Sequence, residues 1–256
     1  MLMTMDVGNS NLKFGLWKED ELISNWRVSN RKELSSDELG LMVEGFLRIS
    51  QLSFSEVEDL VVASVVPPMR PALERFSLKY LKKQAIFVEG YSQKMMRIDY
   101  SNPREVGADR VVVSIAAWHR YHRSLIVIDF GTATTFDCIS KEGNYLGGAI
   151  APGFRLSADA LFQKASMLPK MESFFSPKKA ICKDTINGLN SGLVLGYTYL
   201  VEGLVGHIIQ EMDTKPMVVA TGGLAGLFAA QSEVIEKVLP DLTMEGLKLV
   251  YEEKKW

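Results

Sequence analysis

Cysteine is scarce in this 256-residue chain: Cys138 and Cys182 lie in different segments without metal-ligand spacing. That excludes a disulfide scaffold and reads as reduced thiols in a cytosolic protein. Nucleotide signatures are missing too, with no Gly-x-x-x-x-Gly-Lys-Ser/Thr and no Gly-x-Gly-x-x-Gly. The net charge is only −2, which gives no reason to expect general affinity for nucleic acid or anionic membrane. The clusters His119-Arg120-Tyr121-His122-Arg123 and Lys178-Lys179 read as solvated helix ends or loops. The histidines His119, His122 and His207 match no motif and read as surface or helix-face residues. No basic region precedes an apolar stretch at the N-terminus, so no signal peptide is expected. The most apolar long segment, 193–209, contains Glu202, His207 and several glycines and reads as too short and too polar to span a bilayer. The expectation is a cytoplasmic protein without nucleic-acid or membrane partners.

What is present is enough apolar material for a full core. A hydrophobic fraction of 47% and a charged fraction of 23% suit one large globular domain or two small ones. Two turns stand out, Met5-Asp6-Val7-Gly8-Asn9-Ser10 and Ile128-Asp129-Phe130-Gly131-Thr132-Ala133-Thr134. Each ends an apolar run, puts Asp at the tip and Gly two residues later, and leads into a second apolar run rather than a helix.

The surrounding pattern repeats. Strands are expected over 2–6, 12–17, 22–28, 60–66 and 85–88, with helices over 36–49, capped by Ser35 or Ser36, and 71–81. In the second half strands are expected over 125–129, 134–139 and 145–150, and a helix opens at Pro152-Gly153. An offset of 123 positions carries Asp6-Val7-Gly8 onto Asp129-Phe130-Gly131 and Lys18-Glu19 onto Lys141-Glu142. Val61-Val62-Ala63-Ser64 is echoed by Val218-Val219-Ala220-Thr221. The chain therefore reads as two matched halves, 1–117 and 118–256. A long helix is expected over 186–212, with Gly188, Gly192 and Gly196 on one face. Each glycine costs about 1 kcal/mol against Ala there, and such a face lets a second helix approach, from the same chain or from a second subunit.

The turns suggest chemistry. Gly8 is expected to use a backbone conformation closed to other residues, so that successive N–H groups cradle phosphate oxygens. Asn9 and Ser10 add side-chain donors or acceptors, and Lys13 can reach a phosphate charge. Asp6 can hold Mg²⁺ directly or through water. Asp129 follows the wholly apolar Leu125-Ile126-Val127-Ile128, and an ionised carboxylate at that sheet edge calls for a cation or several donors. A hairpin turn without ligand is the plain alternative for either segment.

The paired turns resemble the superfamily of acetate and sugar kinases, actin and heat-shock chaperones. A third segment, Tyr100-Ser101-Asn102-Pro103-Arg104-Glu105-Val106-Gly107-Ala108-Asp109-Arg110, makes the resemblance closer. With Asp6-Val7-Gly8-Asn9, the segment 129–135, Gly147-Gly148-Ala149-Ile150-Ala151-Pro152-Gly153 and Thr221-Gly222-Gly223-Leu224, it resembles type III pantothenate kinases in order over nearly the whole chain. That family also includes Bvg accessory factors.

The resemblance implies an α/β fold: duplicated ribonuclease-H-like (actin-like ATPase) halves, each a mixed sheet with helices, around a central cleft. It implies a homodimeric enzyme that phosphorylates pantothenate to 4'-phosphopantothenate with ATP, opening coenzyme A biosynthesis, with Mg²⁺ and a monovalent cation, K⁺ or NH₄⁺. Asp6, Gly8, Asn9, Ser10 and Lys13 match the first phosphate loop, and Gly131 and Thr132 the second nucleotide contact. Asp129 matches the monovalent-cation carboxylate. Tyr100, Gly107, Ala108, Asp109, Arg110 and Thr185 match the pantothenate contacts, with Asp109 the catalytic base. In the first turn of a helix, the dipole favours ionised Asp109, and Arg110 can fork onto a carboxylate. Two positions depart from the family pattern: Ser10 replaces Thr, and Cys182-Lys183-Asp184-Thr185 replaces Gly-Lys-Asn-Thr. The competing readings are a related small-molecule phosphotransferase and an inactive accessory protein of the same fold.

Overall fold

The computed structural model describes residues 1–31 and 33–254. The first half lays down β1 (Leu2–Val7), β2 (Asn11–Lys18), β3 (Glu21–Ser29), α1 (Ser36–Ile49), β4 (Asp59–Ser64), α2 (Arg70–Phe76), β5 (Ile86–Phe87) and α3 (Ala108–Tyr121). The second continues with β6 (Leu125–Phe130), β7 (Ala133–Ile139), β8 (Tyr145–Pro152), α4 (Phe154–Lys164), α5 (Thr185–Asn190), α6 (Gly196–Glu211), β9 (Met217–Gly222), α7 (Ala225–Ala229) and β10 (Lys237–Val238). The last helix described is α8 (Leu242–Lys254).

The duplication is present in the topology. One sheet runs β3-β2-β1-β4-β5 and the other β8-β7-β6-β9-β10. In each, the three hairpin strands are antiparallel and the crossover strands are parallel. The echo between β4 and β9 is out of step by one residue. Asp6 faces Ala63 across its parallel pair, whereas Asp129 faces Thr221. The second Asp thus gains a hydroxyl neighbour that the first lacks.

In the first unit Met3, Met5 and Val7 of β1 enter one core with Leu39, Val43 and Leu47 of α1 and Leu73 and Phe76 of α2. Ser35 caps α1 through a reciprocal capping box with Glu38. Because strand side chains alternate, Thr4 points to the other face, where its hydroxyl meets Met244 Sδ at 3.3 Å and accepts from Trp17 Nε1 at 3.0 Å. The last helix therefore packs on β1 and β4. The chain divides into Met1–Ala116 with Asp241 onward, and Ala117–Pro240. The division at 117/118 expected from sequence gave the last helix to the C-terminal half; its contacts give it to the first unit.

In the second unit Ile126, Ile128 and Phe130 pack with Phe136, Phe154, Phe228 and the α6 residues Tyr197, Val201 and Val205. The helical run Thr185–Glu211 includes a π-helical turn at Ser191–Leu195. Here the sequence reading needs correction. The helix lies where it was expected, but the apolar stretch extends beyond 193–209: Thr185–Glu211 spans 27 residues with a mean hydropathy of 1.4, so by length and composition it could cross a membrane. The core helix of a globular unit passes the same test, and one face of this helix lies in such a core. Its glycines face away from packed atoms: a Cβ built on Gly188, Gly192, Gly196, Gly203 or Gly206 would meet nothing within 4 Å. Among the described residues, no other segment fills that face.

Candidate active site

The first turn, Gly8-Asn9-Ser10, is the hairpin connection between β1 and β2. The register sets Lys13 opposite Asp6, where cross-strand neighbours interact, and Lys13 Nζ lies 3.3 Å from Asp6 Oδ2. Asp6 is buried and Lys13 half-buried, while Asn9 and Ser10 at the tip are exposed. Gly8 N donates to Asn11 O at 3.0 Å. Gly8 does not use the left-handed region; among the described glycines Gly143, Gly147, Gly148 and Gly222 do. What Gly8 supplies instead is closeness, since a Cβ there would lie 3.3 Å from Asn11 O. The result is an ammonium and a carboxylate side by side under an exposed turn.

The Asp109 segment lies in the same unit. Val111 N donates to Gly107 O at 3.2 Å, so α3 starts immediately after Gly107 and Asp109 falls in its first turn. Asp109 Oδ1 accepts from Arg110 N at 2.8 Å. Gly107 is required by that arrangement, because a Cβ on it would stand 2.4 Å from Asp109 Oδ1. Asp109 and Arg110 are half-buried, Ala108 is buried and Tyr100 is exposed. Two further glycines seat this helix. Gly90 leaves room for Val111 and Val106 O, which its Cβ would approach to 2.9 and 3.0 Å. Gly246 lets α8 cross α3 backbone to backbone, since a Cβ there would come 1.9 Å from Val112 O. The last helix thus touches both the strand that carries Asp6 and the helix that carries Asp109.

In the second unit Asp129 lies one residue before the end of β6, between Thr135 of β7 and Thr221 of β9. Its Oδ1 is shut off from solvent. Gly222, at φ 92°, brings β9 against it: a Cβ would lie 2.4 Å from Asp129 Oδ1 and 2.7 Å from Phe130 O. The adjoining turn is closed by Gly131 N to Ala133 O at 3.1 Å and rests on Gly153, whose N–H donates to Thr132 O at 3.1 Å. Gly153 cannot be larger, with its Cβ position 2.2 Å from Thr132 O, and Gly148 sits with its Cβ position 1.7 Å from Phe136 O. The glycines of the segment 147–153 therefore shape the strand and the helix start beneath the Gly131-Thr132 turn.

Thr185 is exposed at the first position of α5. Asp184 caps that helix, accepting from Asn187 Nδ2 at 2.7 Å and Asn187 N at 2.9 Å. Those bonds, the side-chain one foremost, hold the Asp184 carboxyl below the usual carboxylate range. Cys182 Sγ donates to Lys179 O at 3.3 Å in the preceding loop, and the two cysteines form no disulfide.

Sequence reasoning missed three polar contacts near the turns. Asp137, buried on β7, accepts from Tyr145 Oη at 2.7 Å and Thr135 Oγ1 at 3.0 Å. A charged residue inside an apolar strand was the available signal, the same one that singled out Asp129. Tyr197 joins Thr134 Oγ1 at 2.6 Å and donates to Pro152 O at 2.8 Å. Asn30 contacts the first turn from the end of β3. Neither has a local sequence signature.

Known proteins resemble this chain in sequence and in fold. The sequence model of type III pantothenate kinase matches residues 2–207. The chain is 47% identical over 252 residues to a type III pantothenate kinase of Desulfatibacillum aliphaticivorans, covering 98% of each chain. It is 44% identical over 255 residues to that of Geotalea daltonii, covering 100% of this chain and 99% of the relative. Among solved structures, a Campylobacter jejuni protein named for the Baf family of transcriptional activators matches with TM-score 0.62 at 19% identity, covering 99% of this chain and 98% of that one. A Listeria monocytogenes protein described as a candidate N-acetylmannosamine kinase matches with TM-score 0.56 at 11% identity, covering 100% and 99%. These two likenesses carry the fold, a duplicated actin-like, ribonuclease-H-like architecture, and the sequence relatives carry the family. The chain belongs to the type III pantothenate kinase family.

Proposed function

We propose that this chain transfers the γ-phosphoryl group of ATP to the primary hydroxyl of pantothenate, giving 4'-phosphopantothenate at the entry to coenzyme A synthesis. The observation that carries the reading is the Asp109 carboxylate, folded over Gly107 in the first turn of α3 beside Arg110. Arg110 forks onto the pantothenate carboxylate, and Tyr100, Gly107, Ala108 and Thr185 complete the substrate contacts. Asp109 orients the hydroxyl. The hydroxyl oxygen bonds to the γ-phosphorus, the bond to the β–γ bridging oxygen breaks, ADP leaves, and the hydroxyl proton passes late to Asp109. A weak base suffices because a loose transition state delays loss of that proton.

Lys13 and the turn formed by Gly8, Asn9 and Ser10 hold phosphate oxygens, with Gly131 and Thr132 as the second nucleotide contact. Among the described residues no three His, Cys, Asp or Glu side chains form a metal cage. A single carboxylate, Asp6, fits Mg²⁺, which is usually held by one or two carboxylates with phosphates and water. Bound there directly or through water, Mg²⁺ would neutralise charge on the β- and γ-phosphates. Asp129 fits K⁺ or NH₄⁺, since a carboxylate oxygen closed off beside Thr221 favours a cation.

The protein acts in the cytoplasm as a homodimer, without nucleic acid or membrane, and the glycine face of α5 and α6 lies against its copy. Support for that reading is the open space at Gly188, Gly192 and Gly196. Light scattering should give twice the 28.6 kDa chain mass, and Gly192→Leu should shift it toward the monomer. A monomeric parent would remove the glycine face from the interface.

The reaction is tested by coupling ADP release to pantothenate addition, in K⁺ and then in Na⁺. ADP should appear only with pantothenate and faster in K⁺. No pantothenate-dependent ADP in K⁺ would sink the kinase reading and leave an accessory role. Equal rates in both salts would remove only the cation role of Asp129.

A further inference from the structure

Asn30 follows directly on β3 and touches the first turn twice. Its Nδ2 donates to Gly8 O at 2.6 Å, and its backbone N–H donates to Ser10 O at 2.9 Å. Its own Oδ1 is buried, with no hydrogen-bond partner among the described residues. A buried acceptor in that state costs stability and calls for an explanation. A small apolar residue would avoid the cost, but it would lose the donor that reaches Gly8 O.

The consequence follows from peptide geometry. A planar trans peptide carries its C=O and the next residue's N–H on opposite edges. With the Gly8 and Ser10 carbonyls both turned toward Asn30, the N–H groups of Asn9 and Asn11 are both turned away from it. Two backbone donors on one side of a tight turn form the kind of concavity that takes an anion.

We propose that Asn30 is a positioning residue for the nucleotide phosphates: it fixes the Gly8–Ser10 turn so that the Asn9 and Asn11 amides face phosphate oxygens beside Lys13. This rests on the reading of residues 6–13 as the phosphate loop. In Asn30→Ala the turn keeps its hairpin bond from Gly8 N to Asn11 O but loses the side-chain bond at Gly8 O. In the isosteric Asn30→Asp a carboxylate faces that carbonyl and also repels the triphosphate.

The test measures KM for ATP and pantothenate, binding of a fluorescent ATP analogue, and the urea midpoint, for both variants and Lys13→Ala. The expected result is a rise of about tenfold in KM and Kd for ATP in Asn30→Ala, the scale of one hydrogen bond, and a larger rise in Asn30→Asp. Pantothenate KM should stay within about twofold and the urea midpoint close to that of the parent. Unchanged ATP binding in both Asn30 variants, with Lys13→Ala weakened, overturns the role of Asn30 alone. Unchanged ATP binding in Lys13→Ala as well overturns the phosphate-loop reading. Parallel losses in ATP binding, pantothenate binding and urea midpoint mean a merely structural residue, which also overturns the proposal.

Discussion

Asp109→Asn should bind pantothenate within several-fold of the parent while turnover falls by roughly two to four orders of magnitude, the range over which a positioned acid or base contributes. The amide keeps the size of the side chain and one acceptor oxygen for Arg110 N, so α3 starts as before. It cannot accept the hydroxyl proton. A drop in kcat with little change in pantothenate KM is the signature of an interaction made chiefly in the transition state. Near-normal turnover would remove Asp109 from the chemistry. Gly107→Ala should behave in between, because it leaves the carboxyl but places a methyl 2.4 Å from Oδ1, so the group must rotate out of position.

Gly222→Ala should damage both stability and the Asp129 site. The residue sits at φ 92°, and the new Cβ would meet Phe130 O at 2.7 Å and Asp129 Oδ1 at 2.4 Å. Backbone strain and overpacking each cost about 1–3 kcal/mol, so about 3 kcal/mol of stability should disappear, read as a fall in the urea midpoint. If Asp129 holds the monovalent cation as proposed, the remaining folded enzyme should also show no preference for K⁺ over Na⁺, because Asp129 is displaced directly. An unchanged midpoint would mean that β9 can slide away from β6. A lowered midpoint with the K⁺ preference intact would separate Asp129 from the cation.

Much of the candidate site was legible because its residues sit in contiguous segments. Asp6, Gly8 and Lys13 share one hairpin, and Gly107, Asp109 and Arg110 share one helix start. The duplicated sheet was legible from the 123-residue offset, since local strand patterning repeats with it. Other contacts were hidden. The bond from Asn30 to Gly8 joins residues 22 apart, and that from Tyr197 to Thr134 spans 63. Asp137 was written in the sequence, but its partner Tyr145 depends on the pairing of β7 with β8.

The glycines divide the same way. Their positions were plain, yet the reason for each was tertiary. Gly8 turned out to serve closeness rather than an unusual φ, and Gly222, Gly153 and Gly246 admit a neighbouring backbone or carboxylate from elsewhere in the chain.

By itself the sequence determined the hairpin turns, the helix start at Asp109 and the repeated order of elements. Periodicity, capping and turn chemistry act over a few residues, so these features need no distant partner. Only the tertiary structure decided that the last helix closes the first unit, touching both β1 and α3, and that Asp129 lies beside Thr221 while Asp6 lies beside Ala63. Those outcomes depend on strand register and on which faces find apolar cover, and both are set when distant segments compete for the same surface.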